Sequence, residues 1–158
     1  MTKKVTFIII LIAILALGFY AWRYSTQKQD NISPPKGELA SRMVLGTTLD
    51  FAKAVQARDL SLFRATTSEI FKKQFSHQQF RQAFGGYIQQ NINLFPVAKT
   101  SPIFTEKPNM DQNGTLRLKG YFPTRPSRVY FDYSYNKENG QWKLTGITLN
   151  VRPLQEKD

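Results

Sequence analysis

The chain has no cysteine among its 158 residues and only one histidine. The first absence excludes disulfides, thiol chemistry and lipoprotein processing at a lipidated cysteine, and it leaves the compartment open. The second leaves His77 without the clustered partners that metal sites and acid–base pairs need. His77 falls just after Ser76, at the exposed start of an expected short helix, and is read as a surface side chain. No G-x-S-x-G, P-loop, H-E-x-x-H or dinucleotide fingerprint occurs. The sequence therefore assigns no catalytic residue, no metal ligand and no cofactor. Internal repeats and low-complexity tracts are lacking too.

Negative charge is scarce: eleven Asp and Glu face twenty-two Lys and Arg, a net of +11. From residue 23 onward the balance is twenty against eleven, a net of +9. Such a surface favours anionic neighbours. Lipid headgroups are one candidate, with each basic residue near them worth about 1 kcal/mol; cell-wall polyanions and acidic proteins are others. Because no block of five like charges occurs, a solubilising charge spread over all faces is the favoured reading.

One long hydrophobic run exists, from Val5 to Trp22, broken only by Thr6 and Gly18. As a helix it would rise roughly 27 Å, close to the hydrocarbon thickness of a bilayer. It ends Gly18-Phe19-Tyr20-Ala21-Trp22-Arg23-Tyr24. Aromatics beside an arginine suit a headgroup interface better than the small-residue pattern of a peptidase site. A retained anchor is expected, with a cleaved signal peptide as the alternative. Lys3 and Lys4 on one side nearly balance Arg23, Lys28 and Lys36 on the other. A very short basic tail normally stays inside while a long domain translocates, so the amino end is expected in the cytoplasm and the bulk outside, in the periplasm or its equivalent.

The implied organisation is a cytoplasmic tail over 1–4, a transmembrane helix over 5–22, a polar tether over 23–37, one domain over 38–153 and a short tail over 154–158. The domain begins with a helical period. In "ELASRMVLGTTLDFAKAVQARDL", Val44, Phe51 and Val55 recur on one face, with Leu45, Leu49 and Ala52 on the adjoining stripe. Asp59 is placed to cap a short helix through Leu60, Leu62 and Phe63. Ser76 and Gln79 form a capping box before "FRQAFGGYI", and Gly85-Gly86 is expected to stop that helix. Three helices of decreasing length are predicted.

The second half changes period. "TLRLKGYF" alternates Leu116, Leu118, Gly120 and Phe122 against Arg117, Lys119 and Tyr121. "SRVYFDYSY" alternates Val129, Phe131, Tyr133 and Tyr135 against Arg128, Tyr130, Asp132 and Ser134. Both patterns predict half-buried antiparallel strands. Asn113-Gly114 and Asn139-Gly140 suit tight connections, and a weaker strand is expected around Ile103-Phe104-Thr105. In "GQWKLTGITLNV", Trp142 and Leu144 have one parity while Ile147, Leu149 and Val151 have the other. One extra residue near Thr145-Gly146 reconciles them, which predicts a β-bulge and a bent sheet. The fold class is α+β, with helices on one face of a curved antiparallel sheet.

In this order of elements over residues 39–153, the chain resembles the nuclear-transport-factor-2-like superfamily. "AKAVQARDLSLFRATTSEIF" is similar to that family's long helix, acidic break and second helix, and "NGQWKLTGITLNV" to its closing strand. The resemblance implies a cone-shaped domain with a pocket between sheet and helices that members use for catalysis, use for binding, or fill. Small bacterial members place such a domain behind a single span. Isomerase-like members use a tyrosine on the first helix, and none occurs here between Glu38 and Phe84, so that catalytic set does not carry over.

Two residue groups remain as site candidates. Phe104, Phe122, Phe131, Tyr133 and Trp142 could line an apolar ligand pocket, or fill the core. Arg128, Tyr130 and Asp132 share one face of one strand and could form a polar cleft with Asp132 as a base. The competing reading is a solvated strand face on which Arg128 and Asp132 answer each other's charge. Interleaved Lys119, Tyr121, Arg128 and Tyr130 invite a nucleic-acid reading, disfavoured for a domain outside the cytoplasm. The expected function is non-catalytic: a membrane-anchored envelope protein acting through contacts with a protein partner or its own copies. Binding of a small apolar molecule or lipid is the alternative, and acid–base catalysis ranks last.

Overall fold

The computed structural model describes residues 34–154. The expected anchor at 5–22, most of the tether and residues 155–158 lie outside the described residues. Among the described residues no helix is long and apolar enough to cross a membrane.

Helix α1 (Gly37–Gln56) forms where the sequence places its apolar stripe. Ala40, Val44, Phe51, Ala52 and Val55 are buried on it, while Leu45 and Leu49 pack half-buried at its margin. Its last turn closes through Ala57 N–H to Lys53 O (2.8 Å) and Asp59 N–H to Ala54 O (2.9 Å), with Arg58 left-handed at φ +57°. Asp59 then caps α2 (Leu60–Thr66), accepting from Ser61 N–H at 2.9 Å.

The helical half departs from expectation in the number of helices, in where the last one stops, and in their lengths. The helix at His77–Gln89 has 13 residues against 7 for Leu60–Thr66, rather than continuing a decreasing series. A further helix, α3 (Glu69–Gln74), lies between the second and third expected ones, so the described domain has four α-helices rather than three. Its capping signal is Ser68, whose Oγ accepts from Phe71 N–H at 3.0 Å, and only Phe71 is buried on its six residues. A helix of fewer than two turns has too little periodicity to be seen by pattern. Helix α4 (His77–Gln89) begins at the predicted capping box but continues through Gly85-Gly86. Each interior glycine costs about 1 kcal/mol relative to alanine. Phe84 and Tyr87, both edge-on to Phe51 at 5.4 and 5.2 Å, hold the turns on either side and outweigh that cost.

After a 3₁₀ turn (Phe95–Lys99) come β1 (Ile103–Phe104), β2 (Asn109–Met110), β3 (Leu116–Phe122), β4 (Ser127–Glu138) and β5 (Gln141–Pro153). The sheet is antiparallel: β1 and β2 pair successively with β3, and β3, β4 and β5 form a meander. The alternation predicted for β3 and β4 is observed, with Leu116, Leu118, Phe122, Val129, Phe131, Tyr133 and Tyr135 buried. Asn139 (φ +52°) and Gly140 (φ +79°) make the β4–β5 turn.

The predicted bulge is present. Ser134 pairs with Gly146 and Tyr135 with Leu144, which leaves Thr145 as the extra residue. Leu144 and Leu149 are thereby both buried despite their opposite parity. Gly120 has a separate reason: a Cβ there would sit 2.1 Å from the Ile103 carbonyl oxygen, where β1 crosses close to β3. The architecture is α+β, four helices packed on a curved antiparallel sheet.

Candidate functional site

The predicted aromatic group falls into two settings. Phe122, Phe131 and Tyr133 are buried in the core, with Phe131 at 5.3 Å from Phe122 and 5.4 Å from Tyr133 between ring centroids. Phe104 meets Phe131 edge-on at 5.9 Å from the half-buried β1. Trp142 packs partly buried against the core beside the β4–β5 turn, where the Lys137 ammonium lies 5.4 Å from its ring centroid.

Buried hydroxyls in this region have found partners on α1. Tyr133 OH lies 2.9 Å from Thr48 Oγ1, and Tyr135 OH lies 2.8 Å from Thr47 Oγ1. The Thr48 hydroxyl donates to Val44 O at 2.8 Å, so the shared proton in the Thr48–Tyr133 bond comes from the tyrosine. Burial pushes the Tyr133 and Tyr135 phenols well above their ordinary range and the Tyr87 phenol up to about 12. The sequence reading missed Thr47 and Thr48, although a polar residue one helical turn beyond Val44 is the signal of a hydroxyl answering a buried tyrosine.

Arg128, Tyr130 and Asp132 share the outward face of β4, and Asp132 is engaged from the neighbouring strand β3. Asp132 accepts from Arg117 Nε at 2.8 Å and from Arg117 Nη2, a bidentate fork reaching diagonally from β3. Its register partner is Lys119, which places Arg117 two residues along the neighbouring strand. Those hydrogen bonds hold the Asp132 carboxyl below the ordinary carboxylate range, with burial opposing only in part. A carboxylate so held is a poor general base. Asp132 is thus answered from the cross-strand neighbour Arg117, which offers a planar fork. Arg128 lies over the Tyr121 ring at 5.2 Å, and Arg152 over the Tyr130 ring at 5.0 Å.

His77 is exposed, as read, and its Nε2 accepts from Arg64 Nη1 at 3.1 Å, arginine having only donors to offer. Among the described residues no cluster of three or more metal-ligating side chains occurs.

A cleft of about 280 Å³ that the sequence did not suggest opens between the α1–α2 corner and α4. It is lined by Arg58, Asp59, Leu60 and Ser61 on one wall and by His77, Phe80, Arg81 and Ile88 on the other. The Asp59 carboxylate is engaged by Ser61, whose hydroxyl donates at 2.6 Å and whose N–H donates at 2.9 Å. These bonds, with smaller help from Arg81 and His77, lower its pKa from the ordinary value.

No protein-family model, curated protein or solved structure matches this chain.

Proposed function

We propose that this chain is a single-pass membrane protein whose nuclear-transport-factor-2-like domain stands outside the cytoplasm and works without catalysis, as an assembly or accessory component of an envelope complex. The observation that carries the reading is the exposure of large apolar side chains on consecutive helical elements. Leu62 on α2, Ile70 on α3 and Phe75 just beyond it are 54%, 49% and 40% exposed. Phe63 and Phe71 are the buried aromatic residues of these two helices, and the Phe75 ring lies 4.9 Å from that of Phe71 between centroids. Leu39 and Ile103 are exposed to a similar degree elsewhere, and the reading takes the three at α2 and α3, close in sequence, as the surface a protein partner would cover.

Support also comes from the chemistry the domain withholds. Asp132 is neutralised by Arg117, and the core tyrosines spend their hydroxyls on threonines of α1. The cone-like reading draws on the order of helices followed by a bulged meander. Tethering to the bilayer concentrates the domain near membrane partners, so modest intrinsic affinity suffices.

The test is photo-crosslinking in the native membrane from a reactive side chain placed at Ile70, and at Thr148 on the outer face of β5 as the comparison. A discrete protein adduct from Ile70 and none from Thr148 is expected. Equal or absent labelling at both positions would remove the reading.

A further inference from the structure

The cleft between the α1–α2 corner and α4 collects features that the core does not require. Arg58 adopts φ +57°, a left-handed conformation that favours glycine. Arg58 lines the cleft together with Arg81. Neither guanidinium has an ion pair or hydrogen bond among the described residues. The one carboxylate in the lining, Asp59, is occupied by Ser61 and offsets only one of the two arginines. His77 adds a ring whose Nε2 is already taken by Arg64. The floor is apolar, from Leu60 and Phe80, both buried, and the partly buried Ile88. The exposed Leu62 follows one residue beyond Ser61.

We infer that this cleft docks an acidic side chain of a protein partner, carried between apolar neighbours that cover Ile88 and Leu62. The inference rests on reading the domain as a protein-contact module, and it names the chemistry of the contact. Charge selects the anion: two cations face one engaged carboxylate, and arginine forks are matched to carboxylate geometry. Volume selects the size, since about 280 Å³ falls just short of the usual range for pockets that enclose a whole small molecule. The apolar floor and the neighbouring Leu62 select a polypeptide over a bare inorganic anion, which would leave them in water.

The test uses the full chain in nanodiscs of uncharged phosphatidylcholine. It is titrated with a fluorescent nine-residue peptide of serine and glycine carrying Leu-Glu-Leu at its centre, and with the Leu-Gln-Leu counterpart. The glutamate peptide should bind at least tenfold more tightly than the glutamine peptide. Arg58→Gly and Arg81→Gln should each weaken it at least tenfold. The thermal midpoint of Arg58→Gly should be unchanged or higher, because glycine is relaxed at this backbone position. That separates a binding role for Arg58 from a structural one, which would lower the midpoint. Equal binding of the two peptides, undiminished binding by both variants, or displacement of the peptide by equimolar acetate would each overturn the inference. The titration needs no native partner, so it fails independently of crosslinking from Ile70. Peptide binding without a membrane adduct retires the partner-contact reading alone, and an adduct without peptide binding retires the cleft alone.

Discussion

At the scale of single residues, Thr48 and Asp132 decide what the inward and outward faces of the sheet can do. Tyr133 is fully buried and its hydroxyl has Thr48 Oγ1 as acceptor. Thr48→Val would leave that O–H stranded, at a cost of about 1–3 kcal/mol, whereas Tyr133→Phe removes the donor with its need and costs less. In urea titrations the double variant should recover part of the Thr48→Val loss, and strict additivity would show that the bond contributes nothing. Asp132 gives a pH signature. Its folded pKa is depressed by Arg117, so its contribution is complete above the unfolded value of roughly 3.9 and is lost as pH falls through the lower folded value. Acid titration of Asp132→Asn should therefore show a weaker fall in stability below about pH 4 than the parent. An unchanged slope would mean that the fork is not maintained in solution. Neither partnership was legible in the chain. Alternation put Tyr133 inward and Asp132 outward correctly, but the groups that answer them, Thr48 and Arg117, come from 85 and 15 residues away.

At the scale of elements, the sequence was most informative where a pattern broke. The parity change between Leu144 and Ile147 located the extra residue of β5, and the register confirms it at Thr145. Deleting Thr145 should leave Leu144, Ile147 and Leu149 on one parity in an unbulged ladder, and so remove the bend rather than the phase. The helices would then lose the curved surface they pack on, and the unfolding midpoint should move toward lower denaturant, measurable by circular dichroism. A deletion variant with the parent's midpoint would show that the strand tolerates a simple ladder. Local signals were legible when they were chemical, as at the Asp59 cap and the Ser76–Gln79 box. They misled when packing overrode propensity, as where Phe84 and Tyr87 carry α4 past two glycines. Helix α3 was invisible because one buried phenylalanine sets no period. The cleft beside α4 was invisible for another reason. It needs Arg58 and Arg81 on facing walls, and nothing in their spacing announces that.

At the scale of the whole molecule, seventeen Lys and Arg against eight Asp and Glu over residues 34–154 leave the domain at +9. Several of these charges are spoken for: Arg42, Lys53, Lys72, Arg117 and Lys119 each pair with a carboxylate. Exposed pairs of this kind contribute little stability, typically under about 1 kcal/mol each. Their effect is to even out the field and leave the cationic character concentrated elsewhere, including the Arg58–Arg81 cleft. The proposed preference for a protein partner over an enclosed ligand rests on the buried aromatic side chains of β3 and β4, an outward carboxylate held by arginine, and apolar side chains left exposed on α2 and α3. Native mass spectrometry of the full chain, released from its own membrane in lipid nanodiscs, tests that preference most directly. The account predicts the mass of this chain together with a protein, lost when Ile70 is changed to Asp. A chain carrying only a non-covalent increment of a few hundred daltons, about the size of one apolar ligand, would contradict it.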